Sequence, residues 1–110
     1  MHGKIHRMGK KVQVTIINPS KAFTESLTDR FGTKNCQRRS FVRGGAEAFA
    51  LVLSITAHGL LLINELRRLR TESKTQKVIA VIEKPDGTEL NLTSATDVEI
   101  ETISIDAPDT

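Results

Sequence analysis

Residues 43 to 70, RGGAEAFALVLSITAHGLLLINELRRLR, constrain the fold more than any other stretch of the chain. From Ala46 to Leu69 nothing interrupts a helix except Gly59, which costs about 1 kcal/mol relative to Ala in a helix interior. At 100° per residue, Glu47, Ser54, His58 and Glu65 fall within about 20° of one line. Phe49, Val52, Leu53, Leu60 and Ile63 cluster opposite, and Leu51, Ile55, Leu61 and Leu62 flank the polar line. The spacing predicts one long helix over 46–69, buried over most of its circumference in a small domain. The competing reading is a membrane anchor over 46–66, with Arg67, Arg68 and Arg70 as a basic flank. The apolar part, 48–63, gives about 24 Å of helix at 1.5 Å per residue, against about 30 Å for a bilayer core. It also contains Ser54, Thr56, His58 and Gly59. Burial in a domain is therefore favoured, and the arginines read as complements to the negative end of the helix dipole.

A chain of 110 residues fits one domain. With 38% hydrophobic and 26% charged residues it has a globular composition. Aromatics are scarce, four Phe with no Trp or Tyr. That leaves few stacking platforms for single-stranded nucleic acid, so this class of partner is disfavoured. A lone cysteine, Cys36, excludes an internal disulfide and a cysteine metal cluster. A reducing, cytoplasmic setting is the plain reading. Charge is uneven. Residues 1–43 hold ten Lys/Arg against Glu25 and Asp29, and residues 44–110 hold six Lys/Arg against eleven Asp/Glu. Oppositely charged surfaces can meet within one fold, or the polarity can guide an anionic partner or self-association.

Outside the long apolar stretch, KKVQVTIINP alternates and predicts a strand with Val12, Val14 and Ile16 on one face. SKAFTESLTDRFG predicts a short helix, with Ser20 as N-cap, Phe23, Leu27 and Phe31 in one stripe, and Gly32 past the end. CQRRSFV reads equally as a short strand or a basic loop. Its Arg38 and Arg39, with Arg43, are a solvated cluster or an anion contact. KVIAVIEKPDGTELNLT predicts a hairpin over 77–93, turned at Pro85-Asp86-Gly87. Its first strand is apolar on both faces, as an interior strand would be. In SATDVEIETISID, Thr96 and Glu99 form a capping-box pattern. Yet Val98, Ile100, Ile103 and Ile105 do not share one helical face, and a strand with a bulge is expected there.

No GxGxxG, P-loop, HExxH or CxxC motif is present, so no cofactor and no metal site is expected. Ser54 and His58 would touch at i, i+4 on a helix, but a mid-helix serine has no free N–H groups for an oxyanion. The chain reads as a non-enzyme.

The stretches Gly44-Gly45, FALVLSITAHGLLLINELRRLR, KVIAVIEKPDGTELNL and, more loosely, VQVTIINPSKAFTESL resemble the bacterial effector-associated constant component domain family. There a glycine-containing loop precedes a long Ala/Leu-rich helix with an Arg-rich end, followed by a strand pair through a PDG turn. The resemblance implies a non-enzymatic accessory module of bacterial conflict systems, coupled to a separate effector. This chain departs from the pattern in having no tryptophan near the helix end and a C-terminal segment that does not read as a clean helix.

The expectation is thus an α+β fold. A small sheet is covered on one face by a long and a short helix, in the order β-α-(β)-α-β-β with an extra C-terminal element. A ferredoxin-like arrangement is one way to satisfy right-handed crossovers. A flexible basic leader (1–10) and a disordered acidic tail (106–110) would flank a single domain over 11–105. The expected function is partner binding or an adaptor role. A membrane-anchored signalling protein and a weak anion or nucleic-acid binder are the alternatives. One helix layer leaves Leu51, Leu61 and Leu62 as an apolar patch, with Glu65, Arg67 and Arg68 at its rim. That surface suits a protein partner or a second copy.

Overall fold

The computed structural model describes residues 9–84 and 86–107, without the side chains of residues 41, 43 and 46. The chain runs β1 (Lys10–Ile17), α1 (Lys21–Phe31), β2 (Cys36–Arg43), β3 (Ala46–Ala57), α2 (Gly59–Gln76), β4 (Ile79–Glu83), β5 (Glu89–Asn91) and α3 (Asp97–Asp106). Short 3-10 turns at Thr33–Asn35 and Leu92–Ser94 precede β2 and follow β5. The strands form one antiparallel sheet in the order β2-β3-β1-β4-β5. The fold is α+β, as the sequence predicts. The leader falls mostly outside the described residues. At the other end α3 reaches Asp106 and Ala107 is buried, so ordered chain extends past residue 105.

The largest departure lies at residues 46–57, which are strand and not the first half of a long helix. Leu51, Leu53 and Ile55 alternate into the core, and Ala50, Val52, Ser54 and Thr56 take the other face. Alternate residues along a pleated strand point to opposite sides, so a run apolar at nearly every position satisfies period 2 as well as period 3.6. The local turn decides between them. Gly44 and Gly45 have φ of 60° and 79°, and two successive residues at positive φ make the two-residue hairpin turn that matches strand twist. β2 and β3 pair directly across it, Arg43 with Ala46 through to Cys36 with Leu53. The polar line of Glu47, Ser54, His58 and Glu65 therefore has no counterpart. Glu47 and Ser54 are on β3, His58 is the N-cap residue of α2, and Glu65 is within α2.

The helix begins at Gly59, where glycine costs little, and continues past Leu69 to Gln76. It stops at Lys77, which adopts a left-handed conformation while the N–H groups of Lys77 and Val78 return to the carbonyls of Lys74 and Ser73. Leu62, Leu66, Leu69 and Ser73 recur at helical spacing and are fully buried. With Phe23 and Leu27 of α1 and Ile100 and Ile103 of α3, they cover Val12, Val14, Ile16, Leu51, Leu53, Ile55, Ala80 and Ile82. The described helices thus share one side of the sheet.

α1 follows its expected boundaries. The Ser20 hydroxyl accepts from the Phe23 N–H at 3.1 Å, and the Gly32 N–H donates to the Thr28 carbonyl. The C-terminal segment is helix and not strand. The Thr96 hydroxyl accepts from the Glu99 N–H at 3.1 Å, and the Glu99 carboxylate accepts from the Thr96 N–H at 2.9 Å. This reciprocal cap satisfies two donors that would otherwise lack partners. It outweighs the β-propensity of the isoleucines.

The β4–β5 hairpin forms as expected, with Gly87 at positive φ and the Asp86 carboxylate accepting from the Thr88 N–H. β4 is interior, between β1 and β5. Ala80 and Ile82 are buried, but Ile79 on the other face is exposed. A half-buried polar knot ties this hairpin to α2. The Ser73 and Thr93 hydroxyls lie 2.9 Å apart, and Thr93 accepts from the Ala80 N–H at 2.9 Å. Ala80→Asp, which would bury an unpaired carboxylate against this knot, is expected to unfold the domain. Glu89→Lys, at an exposed position of the edge strand β5, is expected to leave it folded. Equal thermal midpoints for the two variants would contradict this placement.

Candidate functional site

Two surfaces gather the residues that the sequence marks. The first is the layer of α2 and α3. Arg70 donates to the Ala95 carbonyl at 2.9 Å and to the Asp97 carboxylate at 2.8 Å, and Arg67 lies 3.2 Å from the other Asp97 oxygen. The Ser104 hydroxyl reaches the Gly59 carbonyl at 3.4 Å. α3 therefore runs antiparallel to α2, its start beside the Arg67 turn and its end beside Gly59. On the other flank of α2, Arg30 of α1 makes a bidentate pair with Glu72, at 2.8 and 2.9 Å. Glu65 stands 3.8 Å from Arg30, too far for a hydrogen bond, and one of its oxygens has no hydrogen-bond partner among the described residues.

The predicted interaction surface is only partly brought together. Leu61 is exposed, whereas Leu51 and Leu62 are buried. Leu51 belongs to the inward face of β3, and Leu62 belongs to the buried stripe of α2, so neither can contribute to a patch. Glu65 turns toward α1, Arg67 toward α3, and Arg68 is exposed beside Glu72 at 3.7 Å. On α2 and α3 the exposed apolar groups that sequence reasoning missed are Leu60, Val98 and Ile105. Val98 and Ile105, seven residues apart, share a helical face once the capping box is taken as decisive. That was the available signal.

The second surface is the β2 end of the sheet. β3 pairs with β1 only from Ala50 to Ala57, while β2 follows β3 to Ala46. The β2–β3 ribbon consequently projects beyond the rest of the sheet. Arg38 and Arg39 are exposed on it, on opposite faces, in register with Leu51 and Ala50. Arg43 ends β2, and its side chain lies outside the described residues. The Arg38 guanidinium sits over the Phe49 ring, 5.1 Å from its centroid. Between this ribbon and α1 runs a groove of about 580 Å³, with Phe49, Leu51 and Cys36 along one side and Thr24, Glu25, Thr28 and Asp29 along the other.

Neither surface assembles a nucleophile with a base. Cys36 is half-buried, and desolvation pushes its thiol up from the ordinary value, opposed by a hydrogen bond with Thr28. Such a thiol is a poorer nucleophile at neutral pH. Ser54 and His58 are separated by four residues of extended chain, about 13 Å at strand rise, and so are not the neighbours that a helix would have made them. Among the described residues no group of three or more His, Cys, Asp or Glu could hold a metal ion, and no helix is long and apolar enough to cross a membrane. The chain matches no family model, no curated protein and no solved structure.

The corrected positions of Leu61 and Leu62 can be tested by one substitution at each. Leu62→Lys is expected to cost about 3 kcal/mol or more by emptying a core site and burying a cation. Leu61→Lys should leave the urea midpoint nearly unchanged. Similar losses from both would contradict the helix phase.

Asp97 offers a test of the α2–α3 contact. The Arg70 hydrogen bond holds its carboxyl below the usual value against an opposing desolvation, with Arg67 adding to the lowering. A lowered folded-state value means that the stabilisation is present above the unfolded carboxyl's ordinary value. It is lost as pH falls through the folded one. Arg70→Met is expected to raise the pH at which Asp97 titrates, read from its carboxyl carbon by NMR. An unchanged titration would place Asp97 elsewhere.

Proposed function

We propose that this domain is a non-enzymatic partner-binding module that pairs with a second copy of itself through the outer surface of α2 and α3, and serves as an adaptor for a separate effector. One observation carries the reading, namely that α3 is apolar on both sides. Ile100 and Ile103 enter the core, while Val98 and Ile105 are 71% and 73% exposed. A surface helix resting on one layer needs one apolar stripe, and the second stripe gains stability only if something covers it. Leu60 and Leu61, 76% and 60% exposed, start α2 beside the end of α3. An apolar patch rimmed by charge is the usual mark of an interaction site.

Charge favours a second copy as the occupant. α3 presents Glu101 and Asp106 beside the capping Glu99, and α2 presents Arg68 beside Arg67, which pairs with Asp97. A twofold axis between the two helices sets the basic helix of one copy against the acidic helix of the other. The β4-β1-β3-β2 order, with α1 and α2 as the two crossovers, supports a ferredoxin-like reading to which β5 and α3 are added.

The resemblance to effector-associated constant component domains supports the same functional class. The helical C-terminal segment removes one departure from that pattern, although the first half of the matched apolar stretch is strand. The raised thiol of Cys36 and the separation of Ser54 from His58 favour a module without chemistry of its own. The membrane-anchored alternative loses the continuous helix that it needs, because the chain changes from strand to helix at His58.

Light scattering across a concentration series tests the reading. The expected result is a species of twice 12.1 kDa, which Leu60→Lys combined with Ile105→Lys converts to a monomer with an unchanged thermal midpoint. A wild-type protein that stays monomeric at the highest concentration, or a double variant that still dimerises, overturns it.

A further inference from the structure

Among the described residues, β2 has β3 on one side and no strand on the other. An unpaired strand edge is a template for another chain, and natural edges are usually shortened, bulged or covered. β2 is eight residues long and pairs continuously with β3 from Cys36 to Arg43, without a bulge. Gln37, Arg38, Arg39, Ser40 and Val42 are exposed along it. Two features specify what the edge would accept. On the open face of the sheet it offers Arg39, level with the small side chain of Ala50. On the helix face it borders the α1 groove, with the half-buried Phe49 on the near wall and Lys21, Glu25 and Asp29 on the far rim.

We infer that the free edge of β2 receives an extended segment of another polypeptide as a sixth strand, and that this segment alternates acidic and apolar residues. The alternation follows from the period of a strand. Side chains on the open face lie opposite Arg39 and gain from negative charge. Side chains on the helix face enter the groove, where the Phe49 ring favours apolar groups and the balanced charges of Lys21, Arg38, Glu25 and Asp29 give a carboxylate no net gain. Arg38, stacked on Phe49, marks the mouth of the groove. The arginines also disfavour self-pairing, because a β2–β2 contact centred on either one sets guanidinium against guanidinium. Nucleic acid fits less well. The groove carries Glu25 and Asp29 beside Lys21 and Arg38 and so has no net positive charge for a phosphate backbone, and the open-face positions Gln13, Thr15 and Ile17 of β1 and Ala50, Val52 and Ser54 of β3 supply no stacking ring. This surface is separate from the α2–α3 patch, and the two ideas fail independently.

The probe is a fluorescein-labelled decapeptide of alternating Asp and Val, added to the full ¹⁵N-labelled chain. Saturable binding by anisotropy is expected, with amide shifts confined to residues 36–43 and to α1. N-methylation of alternate peptide bonds should abolish binding, because strand addition needs the backbone donors. Arg39→Glu should weaken it by about tenfold or more while keeping the thermal midpoint and the oligomeric state. A Lys-Val peptide should not bind. The inference is overturned if nothing binds up to about 1 mM, or if the N-methylated peptide binds equally well. It is also overturned if a single-stranded oligonucleotide of equal charge binds more tightly with the same shifts, which would make the edge an anion site.

Discussion

The pairing of β3 with β1 is the contact on which the rest of the domain depends. Val12, Val14 and Ile16 lie level with Ile55, Leu53 and Leu51, and Ile82 and Ala80 of β4 complete the row. These side chains form the floor onto which α1, α2 and α3 pack. Without a strand at residues 46–57 the sheet has no centre. β2 would lose the strand that it pairs with, and the stripe of Leu62, Leu66 and Leu69 would lose the surface that it covers. The burial of this row, at about 25 cal/mol per Å² of apolar surface removed from water, is the main favourable term available to so small a core.

Both candidate surfaces are consequences of how β3 begins and ends. Its first four residues extend past β1, which carries β2 outward and exposes its edge beside α1. Its end at Ala57 forces the helix to start at Gly59, and this start leaves Leu60 and Leu61 at the outer corner of the helical layer. α3 then docks antiparallel to α2 through Arg67, Arg70 and Ser104. That docking brings the second apolar stripe of α3 up to the same corner. The surfaces lie on different elements, so a module that uses both can join two partners without any chemistry.

The sequence carried the outlines of β1, α1 and the β4–β5 hairpin, because each has a local signal with a mechanism. β1 alternates between faces, α1 has the Ser20 cap and a three-residue stripe, and the hairpin has the Asp86-Gly87 turn. The middle of the chain was misleading for a physical reason. In AFALVLSITAHGLLLIN apolar residues occupy nearly every position, so a 3.6-residue and a 2-residue period fit equally well. Only the Gly44-Gly45 turn, a local backbone requirement, separates the two. Reading through it produced a helical polar line that does not exist, and it placed Leu51 and Leu62 on a surface from which both are absent. The C-terminal helix was lost in the opposite way. Its isoleucines point both inward and outward, which defeats periodicity, and the Thr96–Glu99 capping box is the local signal that fixes the helix. Leu61 and Arg68 are exposed on α2, as the sequence predicts. Leu60, Val98 and Ile105 required the correct helix phases and the α2–α3 docking.

The conformation of residues 46–57 is therefore the point at which to test the account. Backbone NMR of the full chain measures it directly, through secondary chemical shifts across the segment and cross-strand contacts between β3 and β1. Strand-type shifts from Ala46 to Ala57 are predicted, with close approach of the Gln13–Ser54 and Thr15–Val52 pairs and a change to helical shifts at Gly59. Helical shifts running unbroken from Ala46 through Leu69 would contradict the account at its centre.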